Sequence, residues 1–524
     1  MTQISMRSRR GMVVAPDARA AQAGQEVLAD GGNAVEAAVA AAATLAVVYP
    51  HMCGLGGDSF WLIANGRKNA PQVIDASGAA AASLTHEHYT SQGYQQIPER
   101  GPQAALTMAG TVSGMEAALR SYSGSQGKLP LERLLAPAIE YAQQGFTPGQ
   151  HLQSTLDTRF DSFQSYPGFR EYFSQSQGQL RLPALARTLQ RLADAGLADF
   201  YQGELAKTMA AELAALNAPL VLKDFHDHRT RLCSPLQLKH SRGVFYNTPA
   251  PTQGAASLML LGISDRLPDF ASFPDAKMIH YLVEATKIAF QKRDAYITDP
   301  GHLPYEYQEM LSDIKLMHAA EQLTERAQPP TGPVGLGDTA WVGATDAEGL
   351  SVSSIHSLFH DFGSAVVLGE SGIVWTNRGA AFGLSQSDPN RLRGGCRPRH
   401  TLNPAMADLN DGRRVLYGVM GGDGQPQFQA AMLSRLLHRS ASAAEAVDAL
   451  RWLQGGTLGA ASQSLKLEAG WSDGVIADLQ ARGHELEILP RYDARFGHGG
   501  IIVIHPDGEI EASSDPRSDG AALG

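Results

Sequence analysis

The stretch Gly337–Ser357, GDTAWVGATDAEGLSVSSIHS, divides the chain into two kinds of sequence. Residues 341–345 and 350–356 are rich in Val, Ser, Trp and Ile, and Asp346-Ala347-Glu348-Gly349 between them carries turn residues. The piece therefore reads as strand, turn, strand. From Ala319 to Gly337 a helical pattern gives way to prolines and glycines with too few apolar side chains to bury themselves, the composition of an exposed tether. Thr339 stands where tether meets hairpin. Cleavage between Asp338 and Thr339 would give this threonine a free α-amine. With a pKa of about 7.7–8.0 such an amine can take the hydroxyl proton near neutrality. From the local pattern alone, the other reading is a threonine that simply opens a strand.

Beyond the hairpin lie short strands with turns between them. VVLGESGIVW, PAMADLNDGRRVLYGVM and GGIIVIHPDGEIEASS follow in order, with hairpin turns at Asn410-Asp411-Gly412 and Pro506-Asp507-Gly508. Helices expected at 426–438, 441–453 and 473–482 supply an outer layer. Before the tether the chain is helix-rich. Helical spacing marks 16–31, a long region from 102–117 to about Gly145, then 184–215 and 276–296. Residues 34–48, AVEAAVAAAATLAVV, are apolar nearly all round yet too short to span a bilayer, so they form a buried helix. The sum is sheet packed on sheet with helices outside, and no internal repeat.

With 524 residues, 43% hydrophobic and 18% charged, the chain can build a large core. A formal charge of −10 without a basic run argues against nucleic acid or an acidic membrane as partner and leaves small molecules. Cys53, Cys233 and Cys396 are widely spaced, which fits a reducing compartment, and the N-terminus lacks the apolar core of a secretory signal. A cytoplasmic location is expected. The pairs His86/His88 and His226/His228 have no third ligand at metal spacing, so no metal is expected. The glycine loop at 54–57 precedes a strand, FWLIA, instead of a helix, and reads as close backbone packing, not phosphate binding.

Seven segments in order resemble the γ-glutamyltransferase family of N-terminal-nucleophile hydrolases. They are GGNAVEAAVA, HMCGLGGDSF, AGTVSGM, TPAPTQG at 248–254, GESGIV at 369–374, GVMGGDG at 418–424 and the closing SSDPRSDG. The resemblance runs from about Gly11 to Arg517. It implies an α/β fold, the αββα sandwich, from a precursor that cuts itself into two subunits. Residues 1–338 would form the large helix-rich subunit, contributing strands to the shared sandwich, and 339–524 the small strand-rich one. Thr339 takes the position of the nucleophile, Asp338 precedes the cut, and Ser357 matches a second hydroxyl residue that assists the nucleophile. Gly421 and Gly422 match the glycine pair of the oxyanion hole. The reaction implied is acyl transfer without a cofactor. A homodimer of processed heterodimers is an assembly compatible with this.

The chain also departs from the family. Where the family holds a substrate ammonium with Asn, Gln and Asp, this sequence has Phe359, Arg378 and Ala381. An arginine would repel an ammonium and attract an anion. His400 and Thr401 stand where the family places a pair of serines that bind carboxylate, and both can donate hydrogen bonds. Arg100 sits near the family's carboxylate-binding arginine. These departures resemble the branch that contains oxamate amidohydrolases, of purine-nitrogen catabolism. The substrate expected is a small carboxylate-bearing amide, oxamate, hydrolysed to oxalate and ammonia. The alternatives are a γ-glutamyltransferase or glutathione hydrolase and, from another class, a self-cleaving scaffold without turnover.

Overall fold

The computed structural model describes residues 4–67, 69–126, 129–174, 178–329, 337–455 and 463–524. Two antiparallel seven-stranded sheets form its centre. One runs in the order Ala521–Leu523, Gly11–Ala15, Asp338–Asp346, Leu350–Phe359, Asp58–Asn65, Gln72–Ala76 and Arg231–Cys233. The other runs Ser5–Ser8, Ile510–Ser514, Gly499–Ile504, Arg414–Val419, Ala405–Leu409, Gly243–Asn247 and Leu236–His240. Strands from both sides of the expected cut enter each sheet.

The layer between the sheets is built around Trp341, with Val14, Phe60, Ile355, Met406 and Leu416. A Cβ added at Gly343, Gly418 or Gly500 would come within 2.4, 2.0 and 2.3 Å of the Trp341 ring. Glycine at these positions is what lets a large indole fit between two sheets. Its Nε1 donates to Ser353 Oγ at 2.9 Å, so the buried N–H is paired.

Helices cover both outer faces. Ala34–Val48 is buried along its whole length and starts with a reciprocal cap between Asn33 and Glu36. Its alanines let it lie close to Ala18–Ala29, while Val39, Leu45 and Val47 each contribute about 1.5–3 kcal/mol by leaving water. On the other sheet Gly254–Asp265, Asp275–Tyr296 and Gln425–His438 pack a second core. The result is the four-layer αββα sandwich. No described helix is long and apolar enough to cross a membrane.

Three expectations change in detail. The helix expected at 441–453 stops at Asp448, and Trp452–Gln454 is a strand paired with Leu465–Glu468. Trp452, Leu453, Leu465 and Leu467 are all buried there, packed in a small sheet. The region from 184 to 215 is three helices, interrupted at Gly196 and Gly203. In the expected tether, 330–336 lie outside the described residues, and the part before them is exposed but anchored. Lys287 Nζ donates to Gln328 O at 2.6 Å, Gln328 N to Glu284 Oε2 at 3.0 Å, and Ala327 N to Arg482 O at 2.9 Å.

Candidate active site

Thr339 lies at the start of the strand Asp338–Asp346 and is 1% exposed. The strand runs through the Asp338–Thr339 bond, so in this uncut chain the threonine nitrogen is an amide. The ladder with the neighbouring strand is irregular at this point. Asp338 pairs with Phe359 and Ala340 with His356, so two steps on one strand face three on the other. Such a bulge frees a residue from the ladder and re-aims its side chain. Phe359 at the bulge has φ +84°, a conformation that costs a bulky residue about 1–3 kcal/mol. Its N–H is held by Ser357 Oγ at 2.8 Å.

Ser357 is itself fixed from below by the glycine loop. A Cβ at Gly57 would lie 2.3 Å from Ser357 O, and Leu358 N donates to Met52 O at 3.0 Å. The loop glycines thus serve close backbone packing at the end of the strand that carries Ser357.

Gly421 and Gly422 adopt φ +136° and +50°, both in the region that favours glycine. A Cβ placed on Gly337 would lie 3.5 Å from Gly422 Cα, so the glycine pair faces the residues leading into Thr339. Among the described residues neither amide donates to a carbonyl. Gln425, just after the pair, donates from Nε2 to Thr339 Oγ1 at 3.4 Å. Gln253 ties the pair to the segment that carries His400 and Thr401, donating to Gly422 O at 2.8 Å and Thr401 O at 2.9 Å.

Arg378 is 1% exposed, with its guanidinium carbon 3.7 Å from the Phe359 ring centroid. It donates to Thr401 Oγ1 at 3.2 Å and Arg399 O at 3.4 Å, and among the described residues no carboxylate lies within 4 Å of it. Burial pulls its pKa down to about 9 against the attraction of Asp58 and Asp423. A buried guanidinium with unspent donors is suited to a planar anion.

The other expected contributors are placed differently. Ala381 ends the short helix Arg378–Ala381 and offers only its carbonyl, to Asn390 Nδ2 at 2.6 Å. His400 is fully buried, with Nε2 3.5 Å from Asp58 Oδ2 and, among the described residues, neither ring nitrogen in a hydrogen bond. Burial holds it neutral, so this contact is not a charged pair. Arg100 is committed to Asp361, which it grips through both carboxylate and backbone carbonyl, while Arg159 Nε takes the other carboxylate oxygen at 2.5 Å. No described contact joins Arg100 to Arg378, His400 or Thr401. Asp361 lines a 220 Å³ cavity with Gly337, Met420 and Gly421.

With this geometry in place, comparison is direct: residues 20–524 match the Gamma-glutamyltranspeptidase family. The chain belongs to that family. It is 48% identical over 525 residues to the oxamate amidohydrolase proenzyme of Klebsiella pneumoniae, spanning 99% of each chain. It is 36% identical to the glutathione hydrolase-like YwrD proenzyme of Bacillus subtilis, spanning 98% of each. Among solved structures, the cephalosporin acylase from Bacillus halodurans superposes with a TM-score of 0.90 at 28% identity, over 100% of this chain and 97% of that one. The chain is thus an enzyme acting on amides, with the N-terminal-nucleophile fold.

Within this gamma-glutamyltranspeptidase fold the sequence reading missed Gln253, Gln425 and Asp58 as parts of the site. Gln253 and Asp58 lie inside two of the family segments, whereas Gln425 carries no local signal. One described group could supply three metal ligands: His280, Glu284 and His484. It is already knit together. The two imidazoles meet at 2.8 Å, His280 Nε2 meets Thr324 O at 2.7 Å, and Lys287 holds Glu284 at 2.6 Å.

Proposed function

We propose that the chain is a self-processing N-terminal threonine amidohydrolase that converts oxamate to oxalate and ammonia. The observation that carries this reading is Arg378, a buried cation with no carboxylate contact among the described residues, set over the ring that pairs with the residue before Thr339. Likeness to an oxamate amidohydrolase proenzyme supports it.

After cleavage between Asp338 and Thr339, the freed α-amine accepts the Thr339 hydroxyl proton as Oγ attacks the amide carbon. The Gly421 and Gly422 N–H groups would receive the charge on the carbonyl oxygen. Ser357 and Gln425 position the nucleophile. The amine returns the proton to the departing nitrogen, giving ammonia and an oxalyl ester on Thr339. Water, losing a proton to the same amine, cleaves that ester and regenerates the hydroxyl. Arg378 with Thr401 grips the carboxylate next to the reacting carbonyl. Phe359 fills the depth that a longer γ-glutamyl group would need.

A cytoplasmic location, drawn from the cysteine usage and the N-terminal sequence, belongs to this reading, as do a place in purine-nitrogen catabolism and a homodimer of processed heterodimers, which follow the resemblance. Incubation with oxamate, glutamine and a γ-glutamyl anilide, with released amine measured, tests it. Oxamate should be turned over far faster than the other two. Efficient γ-glutamyl transfer without oxamate hydrolysis would replace this reading with that of a transferase.

A further inference from the structure

The glycine loop ends in Asp58, a side chain buried to 1% exposure whose position the reaction above does not explain. Its Oδ1 accepts the Gly78 N–H at 2.8 Å. Among the described residues its Oδ2 has no hydrogen-bond partner, and it lies 3.5 Å from Nε2 of His400. Among the same residues both nitrogens of that imidazole are unpaired too, and the ring stands edge-on to Phe60 at 5.0 Å. Buried polar atoms are nearly always paired, so three orphans together call for a function.

The charges facing Asp58 come from several elements. Arg378 on its short helix is the foremost attraction, Arg397 attracts more weakly, Asp75 repels, and the Tyr201 phenol is close enough to feel the charge. Arg397 is already paired with Asp75 at 2.6 Å. Arg378 holds Thr401 at 3.2 Å, and the adjacent His400 lies against Asp58, so the guanidinium and the Asp58 carboxylate flank one short segment and attract each other without touching.

We propose that Asp58, with His400 against it, is the proton-accepting half of the carboxylate receptor: one proton enters this pair when a small carboxylate docks on Arg378. The proposal rests on the reading that Arg378 takes the substrate carboxylate. Before docking, Arg378 is balanced chiefly by Asp58, since Asp423 is paired with Arg293 at 2.9 Å and Arg397 with Asp75. A second anion would leave the site with an unbalanced buried charge, which is costly. A proton from solvent onto Asp58 restores the balance. The neutral carboxyl then has an O–H to donate to the free Nε2 of His400, so two orphans are satisfied together. Because the two groups interact, the proton belongs to the pair. Burial has already raised the Asp58 carboxyl to about 7. An incoming anion raises it further, so above neutrality docking must draw the proton from water, and affinity falls by up to about tenfold per pH unit.

Pyruvate is the probe, since it has the carboxylate and carbonyl of oxamate and no amide to hydrolyse. Calorimetric titration of the processed protein at pH 8, in buffers of different ionisation enthalpy, should show close to one proton taken up per pyruvate bound. Asp58→Asn, checked for self-cleavage and thermal unfolding, should bind pyruvate with no uptake and with affinity nearly constant from pH 7 to 9. Binding to wild type without uptake, or uptake that persists in Asp58→Asn, overturns the proposal and leaves the substrate reading standing. If the variant does not fold, a flat affinity profile of wild type over the same range overturns it equally. Pyruvate binding that survives Arg378→Met, or no binding at all, overturns the carboxylate reading of Arg378 and this proposal with it.

Discussion

Arg378 stacks on Phe359, guanidinium carbon to ring centroid 3.7 Å, and Phe359 is the register partner of Asp338. The cation is thereby set beside the bond that would be cut, with the ring covering one face of the guanidinium. Removing it should act on substrate and not on processing. Arg378→Met is expected to lower kcat/KM for oxamate by about 30-fold to several-thousand-fold, the ~2–5 kcal/mol of a truncated buried charge contact. Self-cleavage should remain. Burial lowers the folded pKa of this arginine, so its charged form weighs against folding at neutral pH, and thermal unfolding of the methionine variant should occur at the same or higher temperature. Wild-type kinetics in Arg378→Met would remove the anchor.

Ser357 Oγ accepts the N–H of Phe359, a residue in strained backbone. Ser357→Ala leaves that N–H unpaired and should slow turnover by about 1–3 kcal/mol, roughly five- to 150-fold in kcat. Ser357→Thr should be tolerated. Steady-state kinetics of correctly processed variants decide this, and an unchanged kcat in the alanine protein excludes Ser357 from the site.

Gln425 makes one long hydrogen bond to Thr339 Oγ1. Gln425→Leu keeps the volume and should slow self-cleavage by about two- to twelve-fold, the ~0.5–1.5 kcal/mol of an ordinary hydrogen bond. The half-time of precursor loss on denaturing electrophoresis measures it, and an unaltered half-time would show that the contact has no role.

The sandwich was legible because alternating strands and hairpin turns after Asn403 leave little choice of pairing, and because Ala34–Val48 has no polar face. The family resemblance named Thr339, Ser357 and the glycine pair, the last inside the segment at 418–424. The sequence could not see that Arg100 is occupied, because Asp361 is 261 residues away in the chain. Nor could it see that Asp58, which closes a loop read as backbone packing, shares a buried site with His400. Charge compensation between distant segments leaves no periodicity to read.

The closing segment SSDPRSDG has a structural task. Asp515 receives Arg451 Nη2 at 2.5 Å, Arg517 Nη1 at 3.0 Å and Gly499 N at 2.6 Å, and Arg517 also pairs with Glu468 at 2.6 Å. Asp515→Ala leaves two buried guanidinium groups short of a partner and should cost about 3–5 kcal/mol. Burial alone would raise this carboxyl, but Arg451 and Arg517 outweigh it and hold it below the usual range. A depressed carboxylate contributes stability above its unfolded pKa of about 3.9 and loses it as pH falls through the folded value. Unfolding curves of the two proteins should therefore stay apart at neutral pH and converge only below about pH 3.9. Equal stability at pH 7 would refute the assignment.

The most direct measurement of the central claim is the intact mass of the purified protein, before and after a brief incubation with oxamate quenched in acid. The expected result is two chains, 1–338 and 339–524, with the second transiently heavier by one oxalyl group on its first residue, Thr339. Thr339→Ala should give a single full-length chain and no adduct. A split at the same bond in Thr339→Ala, or an adduct on any residue other than Thr339, would contradict the account.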